Sequence, residues 1–165
     1  MGRLKHLYIA AGHVKSEKYR KPEYNAEQDV EAYYMAVQNA NPDRVTVIPY
    51  SQTMSSMNVT KEWRTEVLGS IDTDIMQTQN DFERVSMGKI TDGMWSLLDP
   101  VAMAVYLDKN VVNEYKYSNN SIALCGIERG VTTNEFGRKN ANVRLLYAAN
   151  EDAYKKLLLK LFSEC

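Results

Sequence analysis

The sequence lacks the compositional features that mark several large classes of proteins. Two cysteines and two histidines among 165 residues are too few, and show no spacing, for a recognisable zinc site. Neither sign of charge dominates, because 20 basic and 21 acidic residues leave a net charge of −1. No basic block argues for nucleic acid. We therefore expect neither a zinc protein nor a nucleic-acid-binding protein.

Long apolar runs are also missing from the sequence. No stretch approaches the roughly 20 apolar residues that a membrane-spanning helix needs, and the first residues lack the apolar segment of a signal peptide. We expect no membrane association. The compartment stays open, with a cytoplasmic location favoured. Cys125 lies in an apolar run and is expected to be buried, whereas Cys165 ends the chain and is expected to be exposed.

What the sequence does contain is enough apolar residues for one core, arranged as alternating strands and helices. This alternation predicts an α/β fold with an open, largely parallel sheet and helices on both faces. The predicted strands cover residues 4–12, 45–48, 121–127 and 142–147. The predicted helices cover residues 29–37, 60–75, 81–86 and 99–107, and a last helix carries Tyr154, Leu157, Leu158, Leu161 and Phe162 on one face.

Residues 21–37 organise the rest of the chain. Their apolar residues recur at the spacing of one helix face: Val30, Tyr33, Tyr34 and Val37. Asp29, just before them, is placed to cap the first turn. Glu23 and Asn25 lie in a loop between this helix and the strand at residues 4–12. Such a loop, after the carboxyl end of a strand, is where open α/β sheets bind ligands.

Three segments carry a resemblance to a known family. The run Glu-Tyr-Asn at residues 23–25, followed by Asp-Val-Glu-Ala at residues 29–32, resembles the Ala-Glu-Phe-Asn…Asp-Pro-Glu-Ala-Ala segment of the inosine-uridine nucleoside hydrolases. Asp-Pro-Val-Ala-Met-Ala at residues 99–104 resembles a segment that provides a metal ligand in that family. Glu-Arg-Gly-Val-Thr-Thr at residues 128–133 resembles its Thr-Arg-Gly-Gln-Thr strand. Their order and spacing fit the C-terminal half of such an enzyme over essentially the whole chain.

The resemblance implies roles for four residues. Glu23 and Asn25 match residues that hold ribose hydroxyls, and Tyr24 replaces the usual Phe as an aromatic wall of that ribose site. Asp99 matches a Ca²⁺ ligand. The activity implied is hydrolysis of the N-glycosidic bond of ribonucleosides to ribose and free base, with Ca²⁺ as cofactor.

Simpler interpretations of the same residues stay open. Glu23 and Asn25 also suit an ordinary polar loop. Asp99 also suits a helix N-cap, with Pro100 at the first helical position. An ancestral metal ligand that also caps the helix is compatible with both interpretations of Asp99.

The catalytic carboxylates are the main departure from the family. Its other Asp ligands and its Asp base belong to an Asp-rich motif after an N-terminal strand, and this sequence has no such motif. Because Ca²⁺ takes roughly 6–8 oxygen ligands, Asp99 alone does not make a calcium site. Residues 72–74, Asp-Thr-Asp, begin like that motif but follow the ribose loop, and we interpret them as a solvated helix face. No residue is assigned a catalytic role.

Smaller departures affect the site itself. Gly12 keeps only the last residue of the family's Met-Gly-Gly segment, and Glu17 stands where another ribose-contacting Asn is expected. Leu98 replaces the His or Trp that often precedes the family's Asp. Trp95 and Tyr106 are interpreted as packing residues rather than residues that stack on a base.

These observations predict one nucleoside-hydrolase-like domain over residues 1–165, incomplete at its N-terminal side and inactive as an isolated chain. The alternative is a non-catalytic homologue that binds a nucleoside or ribose, or serves only in protein interaction. The expected ligand is a ribonucleoside or ribose. An unpaired strand edge at residues 4–11 also predicts a homo-oligomer or a partner chain that completes the sheet.

Overall fold

A computed structural model describes residues 4–14 and 20–164 of the chain. The strands are β1 (Leu7–Ala10), β2 (Val45–Ile48), β3 (Val112–Ile122), β4 (Thr132–Phe136) and β5 (Val143–Ala149). The helices are α1 (Tyr24–Gln28), α2 (Val30–Val37), α3 (Tyr50–Ser56), α4 (Asp74–Lys89), α5 (Leu98–Leu107) and α6 (Glu151–Ser163), with a π-helical turn at Trp63–Leu68 and a 3₁₀ turn at Lys109–Val111. In this described part of the chain, no helix is long and apolar enough to cross a membrane.

The five strands form one open sheet in the order β1-β2-β5-β3-β4. Strands β1, β2 and β5 run parallel, whereas β3 pairs antiparallel with both β5 and β4. All four residues of β2 are buried, as expected for a β-branched strand inside a sheet covered on both faces. The predicted α/β class is confirmed, and β3, between β5 and β4, is the one strand of this sheet that runs opposite to the others.

Helices cover both faces of this sheet. Side chains alternate between the two faces along a strand, so Val45 and Val47 pack on one side and Ile48 on the other. The first side carries a buried cluster with residues of α1 and α2: Ala26, Val30, Tyr33 and Val37. The second side carries a larger cluster that includes residues of α5 and α6: Val101, Ala104, Val105, Tyr154 and Leu158. The polar pocket described below lies where helices from both layers meet the end of β1.

The predicted long helix over residues 60–75 is broken in the structure. Thr60 Oγ1 accepts a hydrogen bond from the backbone N–H of Trp63 (3.1 Å), as a cap does, but the π-helical turn that follows ends at Gly69. A new helix, α4, begins only at Asp74, where Thr73 Oγ1 accepts from the backbone N–H of Met76 (3.3 Å). The apolar residues that recur every four positions therefore do not belong to one helix, because the Thr73 cap begins α4 as a second helical segment.

The predicted strand over residues 121–127 is also displaced. Strand β3 ends at Ile122, and the chain then turns through Gly126 and Gly130, which both have positive φ. The preceding residues of β3 are mostly polar, so their pattern did not predict a strand. Cys125 lies in this turn and is exposed, so the expectation of a buried cysteine was wrong.

Candidate functional site

A polar pocket of about 380 Å³ lies where β1 and β2 end and α1 and α5 begin. Its walls are His13, Pro22, Glu23, Tyr24, Asn25, Tyr50, Ser96, Leu98 and Asp99. The structure thus brings together all four residues that the sequence singled out: Glu23, Tyr24, Asn25 and Asp99. The pocket lies at the carboxyl ends of parallel strands, where open α/β sheets bind ligands.

Glu23 is buried and caps α1, a short helix that the sequence pattern did not reveal. Its Oε2 accepts hydrogen bonds from the backbone N–H groups of Gly12 (2.8 Å) and Ala26 (3.2 Å). Its Oε1 accepts from the backbone N–H of Asn25 (3.1 Å). A carboxylate has about four acceptor positions, so Oε1 retains one for a further donor such as a sugar hydroxyl.

Asn25 and Tyr24 belong to the first turn of α1. Asn25 Nδ2 donates a hydrogen bond to the carbonyl oxygen of Ala10 (3.0 Å), which ties α1 to the end of β1. The amide oxygen of Asn25 can then accept from a ligand, and Nδ2 has a second N–H to donate. Tyr24 is 70% exposed, so its ring forms an accessible aromatic wall beside these polar groups.

Asp99 lies in the first turn of α5, but it is not the N-cap that the sequence predicted. The carbonyl oxygen of Leu97 accepts from the N–H of Val101 (2.9 Å), so Leu97 is the cap and Asp99 is the second helical residue. Pro100 is then the third helical residue, and proline is tolerated at this position because the first N–H groups of a helix have no intrahelical partner. The exposed Asp99 carboxylate still lies at the positive end of the helix dipole and lines the pocket.

His13 lines the pocket and was not singled out from the sequence. Thr132 Oγ1 accepts from its backbone N–H (3.0 Å) and donates to its carbonyl oxygen (2.7 Å), and the imidazole packs edge-on against the Tyr50 ring with centroids 5.8 Å apart. Burial lowers the pKa of His13, although the negative charge of Glu23 acts in the opposite direction. The imidazole is therefore neutral at neutral pH. The feature of the sequence that could have identified His13 as a pocket residue is its position directly after Gly12, at the end of a predicted strand.

Residues 128–133 contact the segments that form the pocket. Gly130 has a φ of +86°, and a Cβ at this position would lie 3.1 Å from the Pro22 Cβ, so only glycine allows this close approach. Arg129 donates to both carboxylate oxygens of Glu31 (2.7 and 2.9 Å), and these hydrogen bonds hold the pKa of Glu31 below its usual value. Segments about one hundred residues apart in sequence, both part of the resemblance, are thus in direct contact.

Calcium does not fit the described residues by themselves. Asp99 provides one exposed carboxylate, and Glu23 uses most of its acceptor positions on backbone N–H groups. Within residues 4–14 and 20–164, no group of three or more His, Cys, Asp or Glu side chains could hold a metal ion. Asp72 and Asp74 are exposed at the start of α4 and do not line the pocket.

The remaining predicted positions have different outcomes. Leu98 is buried and lines the pocket, so an apolar side chain occupies this wall. Trp95 is buried in the larger core, in agreement with a packing role. Tyr106 is 63% exposed and contacts Tyr8 edge-on, with ring centroids 5.7 Å apart. Glu17 and Cys165 lie outside the described residues.

Comparison with known families gives a match over most of the chain. The model of the inosine-uridine preferring nucleoside hydrolases matches residues 1–156. The chain belongs to this family. Among curated proteins, no sequence matches it.

Solved structures of nucleoside hydrolases share its fold. An inosine-guanosine nucleoside hydrolase superposes with a TM-score of 0.76 at 18% identity, covering 93% of this chain and 50% of that one. A plant nucleoside hydrolase gives a TM-score of 0.74 at 18% identity, covering 95% and 53%. A purine-preferring ribonucleoside hydrolase from Gardnerella vaginalis gives 0.65 at 19% identity, covering 98% and 52%. The chain therefore spans about half the length of these nucleoside hydrolases.

Proposed function

We propose that this chain carries the ribose-binding part of a nucleoside-hydrolase site. The observation that carries the proposal is that Glu23, Tyr24, Asn25 and Asp99 line one polar pocket at the carboxyl ends of parallel strands. The reaction of the complete site is hydrolysis of the N-glycosidic bond of a ribonucleoside to ribose and free base. We further propose that residues 1–165 fold as one domain.

The groups in the pocket suit a sugar. Glu23 Oε1 accepts from one ribose hydroxyl, while the Asn25 amide accepts from or donates to a neighbouring one. Both side chains are already held by backbone groups of Gly12 and Ala10, so little side-chain freedom is lost when the sugar binds. Tyr24 covers the apolar side of the sugar. These contacts orient ribose and do not themselves cleave the glycosidic bond.

Cleavage needs a water molecule that is nucleophilic at neutral pH. Among the described residues, Asp99 is the one exposed carboxylate that lines the pocket, and it lacks the company of other carboxylates. Further carboxylates, together with any Ca²⁺, would have to come from polypeptide outside these residues. The second candidate function is therefore a non-catalytic protein that binds ribose or nucleosides. It is favoured because, within residues 4–14 and 20–164, the proposed sugar-binding groups lie without a cluster of side chains that could hold a metal ion.

A neighbouring polypeptide would complete the sheet at β1. This strand is at the edge of the described sheet, with β2 as its hydrogen-bonded neighbour. An open strand edge is a template for pairing with another chain. We infer that a second copy, or a partner that carries the missing part of the site, pairs there.

Calorimetric titration with ribose, adenine and uracil tests the binding proposal. We expect ribose to bind more tightly than either free base, because the assigned groups match hydroxyls. Asn25→Leu should weaken ribose binding about tenfold, the effect of losing roughly 1.4 kcal/mol. Asn119→Leu, the same change at an exposed residue of β3 outside the pocket, should leave it unchanged. Tighter binding of a free base than of ribose would contradict the assignment.

An activity assay tests the second part of the proposal. The purified chain should release no measurable base from inosine or uridine with added Ca²⁺, because one carboxylate does not replace a calcium site. If base were released, and both a chelator and Asp99→Asn abolished the release, the chain alone would be a complete enzyme and the proposal would be wrong.

A further inference from the structure

A second, larger cleft of about 830 Å³ lies between α4, α5 and α6. Its walls are mainly apolar and include Ile75, Met87, Met103, Leu107, Leu157 and Phe162. A volume of this order is within the roughly 300–1,000 Å³ range of small-molecule sites, which are also mostly apolar. The resemblance and the proposed ribose site leave this cleft without an assigned role.

Helix α4, one wall of the cleft, is held by hydrogen bonds from a buried arginine. Helix α4 buries only Met76, but Arg64 holds it in place through Nε to Glu83 Oε2 (2.9 Å) and Nη1 to Asn80 Oδ1 (2.8 Å). The Arg64 guanidinium also lies 5.5 Å from the Trp95 ring centroid. Arg64 is 1% exposed, so this arrangement is built into the interior and keeps α4 beside the cleft.

The apolar cleft adjoins the polar pocket. Ser96 and Asp99 line both spaces, so the two meet at the N-terminal end of α5. An apolar space therefore lies beside Asp99, next to the polar groups of Glu23 and Asn25. The two neighbouring spaces together match a molecule with a sugar at one end and an apolar group at the other.

We propose that the apolar cleft binds the aglycone of ribosides that carry a large apolar group. This inference rests on the proposed function, because it takes the ribose to lie in the polar pocket. Removing an apolar aglycone from water favours binding in proportion to the area buried. The cleft then selects among ribosides by the apolar size of the aglycone, whereas the polar pocket recognises the sugar common to all of them.

Two ribosides that differ only in the apolar group test this inference by calorimetry. Wild-type protein should bind 2-naphthylmethyl β-D-ribofuranoside at least about tenfold more tightly than methyl β-D-ribofuranoside, a gain of roughly 1.4 kcal/mol. Met103 is a half-exposed residue of the cleft wall, so Met103→Trp should fill the cleft without disturbing the core. It should abolish the gain and leave binding of the methyl riboside unchanged. Leu107→Trp, from the same wall, should do the same if Met103→Trp does not fold.

The matched control is Met35→Trp, at an exposed methionine of α2 that lines neither space. It should leave both affinities as in the wild type. Equal binding of the two ribosides, or a gain that survives both cleft variants, would overturn the inference while the ribose site stands. Binding of 2-naphthylmethanol without binding of methyl riboside would overturn the ribose site and the two-part ligand together.

A polypeptide in the cleft is the competing outcome. If the cleft variants changed the sedimentation coefficient and left both riboside affinities unchanged, the cleft would be a protein contact and the inference would be wrong.

Discussion

Glu23 shows how one residue of the pocket serves the fold and, in the proposed site, also the ligand. Its carboxylate joins the end of β1 to the start of α1 by accepting hydrogen bonds from three backbone N–H groups, and the residue also lines the pocket. In the proposed site, its carboxylate is therefore oriented before any sugar binds. The same hydrogen bonds mean that changes at Glu23 should affect stability as well as the proposed binding.

Replacing Glu23 by alanine should lower the free energy of unfolding by about 2–3 kcal/mol, because buried N–H groups are left without an acceptor. Glu23→Gln should cost less, since the amide oxygen still accepts. The control is Glu27→Ala, at an exposed residue of the same helix, which should change stability by no more than about 0.5 kcal/mol. Urea unfolding measures all three. Equal losses for Glu23→Ala and Glu27→Ala would refute the structural role of Glu23.

His13 should make stability depend on pH. Burial lowers the pKa of His13 below 6.5 in the folded chain, so below that pH the unfolded chain binds the proton more readily. Neutral His13 therefore makes its full contribution to the free energy of unfolding above pH 6.5. This contribution is lost as the pH falls through the pKa of His13 in the folded chain. The pKa of His6 is also lowered, first by burial and then by Arg144, and adds to the same trend.

Urea unfolding at about pH 7.5 and about pH 5.0, on either side of the ordinary histidine pKa, measures this dependence. Stability should be lower at the acidic pH, and His13→Asn should reduce the difference. His6→Asn should remove a separate part of it. An undiminished difference in the His13 variant would show that His13 does not titrate as inferred.

At the scale of elements, α4 depends on one interior arginine. Few of its residues are buried, and the bonds from Arg64 to Glu83 and Asn80 tie it to the π-helical turn. Its placement beside α5 and α6 rests on this buried polar contact together with the packing of Met76 and Met87 in the larger core.

Arg64→Leu should therefore release α4. Removing one partner of a buried pair costs about 3–5 kcal/mol, and the partial exposure of Glu83 reduces the expected loss to about 2–4 kcal/mol. Hydrogen exchange of the α4 amides should become faster in the variant than in the wild type. Arg84→Leu, at an exposed arginine of the same helix, provides the comparison and should change neither quantity. Unchanged exchange in α4 of Arg64→Leu would mean that other contacts hold the helix.

At the scale of the whole molecule, β1 is an edge strand of the described sheet, and this edge is the feature from which we expect association. The N–H groups of Leu7 and Ala11 bond to carbonyl oxygens of Arg44 and Ile48 on the β2 side. Because successive residues of a parallel strand bond to opposite neighbours, Tyr8 points its backbone groups toward the open side. A second chain can pair at this position.

We expect the chain to associate, with itself or a partner, or to be poorly soluble. Sedimentation at micromolar concentration should show species larger than one chain. Tyr8→Pro, which removes an outward N–H without removing a bond to β2, should shift the distribution toward monomer. Tyr8→Val keeps the N–H and should not shift the distribution toward monomer. A stable, soluble wild-type monomer would contradict the expectation.

The sequence by itself determined the features that depend on neighbouring residues. Asp29 caps α2, with its Oδ1 accepting from the N–H of Ala32 (2.8 Å), and the spacing of apolar residues on α2 and α6 predicted which of their faces are buried. The motifs around Glu23 and Asp99 identified the family. Each of these signals is contained within a few residues of chain, where helix geometry and capping act.

Only the tertiary structure decided the rest. The contact of His13 with Thr132, the pairing of the polar strand β3 with β5, and the junction of the two pockets at Ser96 all join distant parts of the chain. The local sequence also did not determine the residue at which α5 begins, because Asp and Pro suit several positions of a first helical turn. Such features depend on which segments pack together, and that is set by burial over the whole sheet rather than by neighbours in sequence.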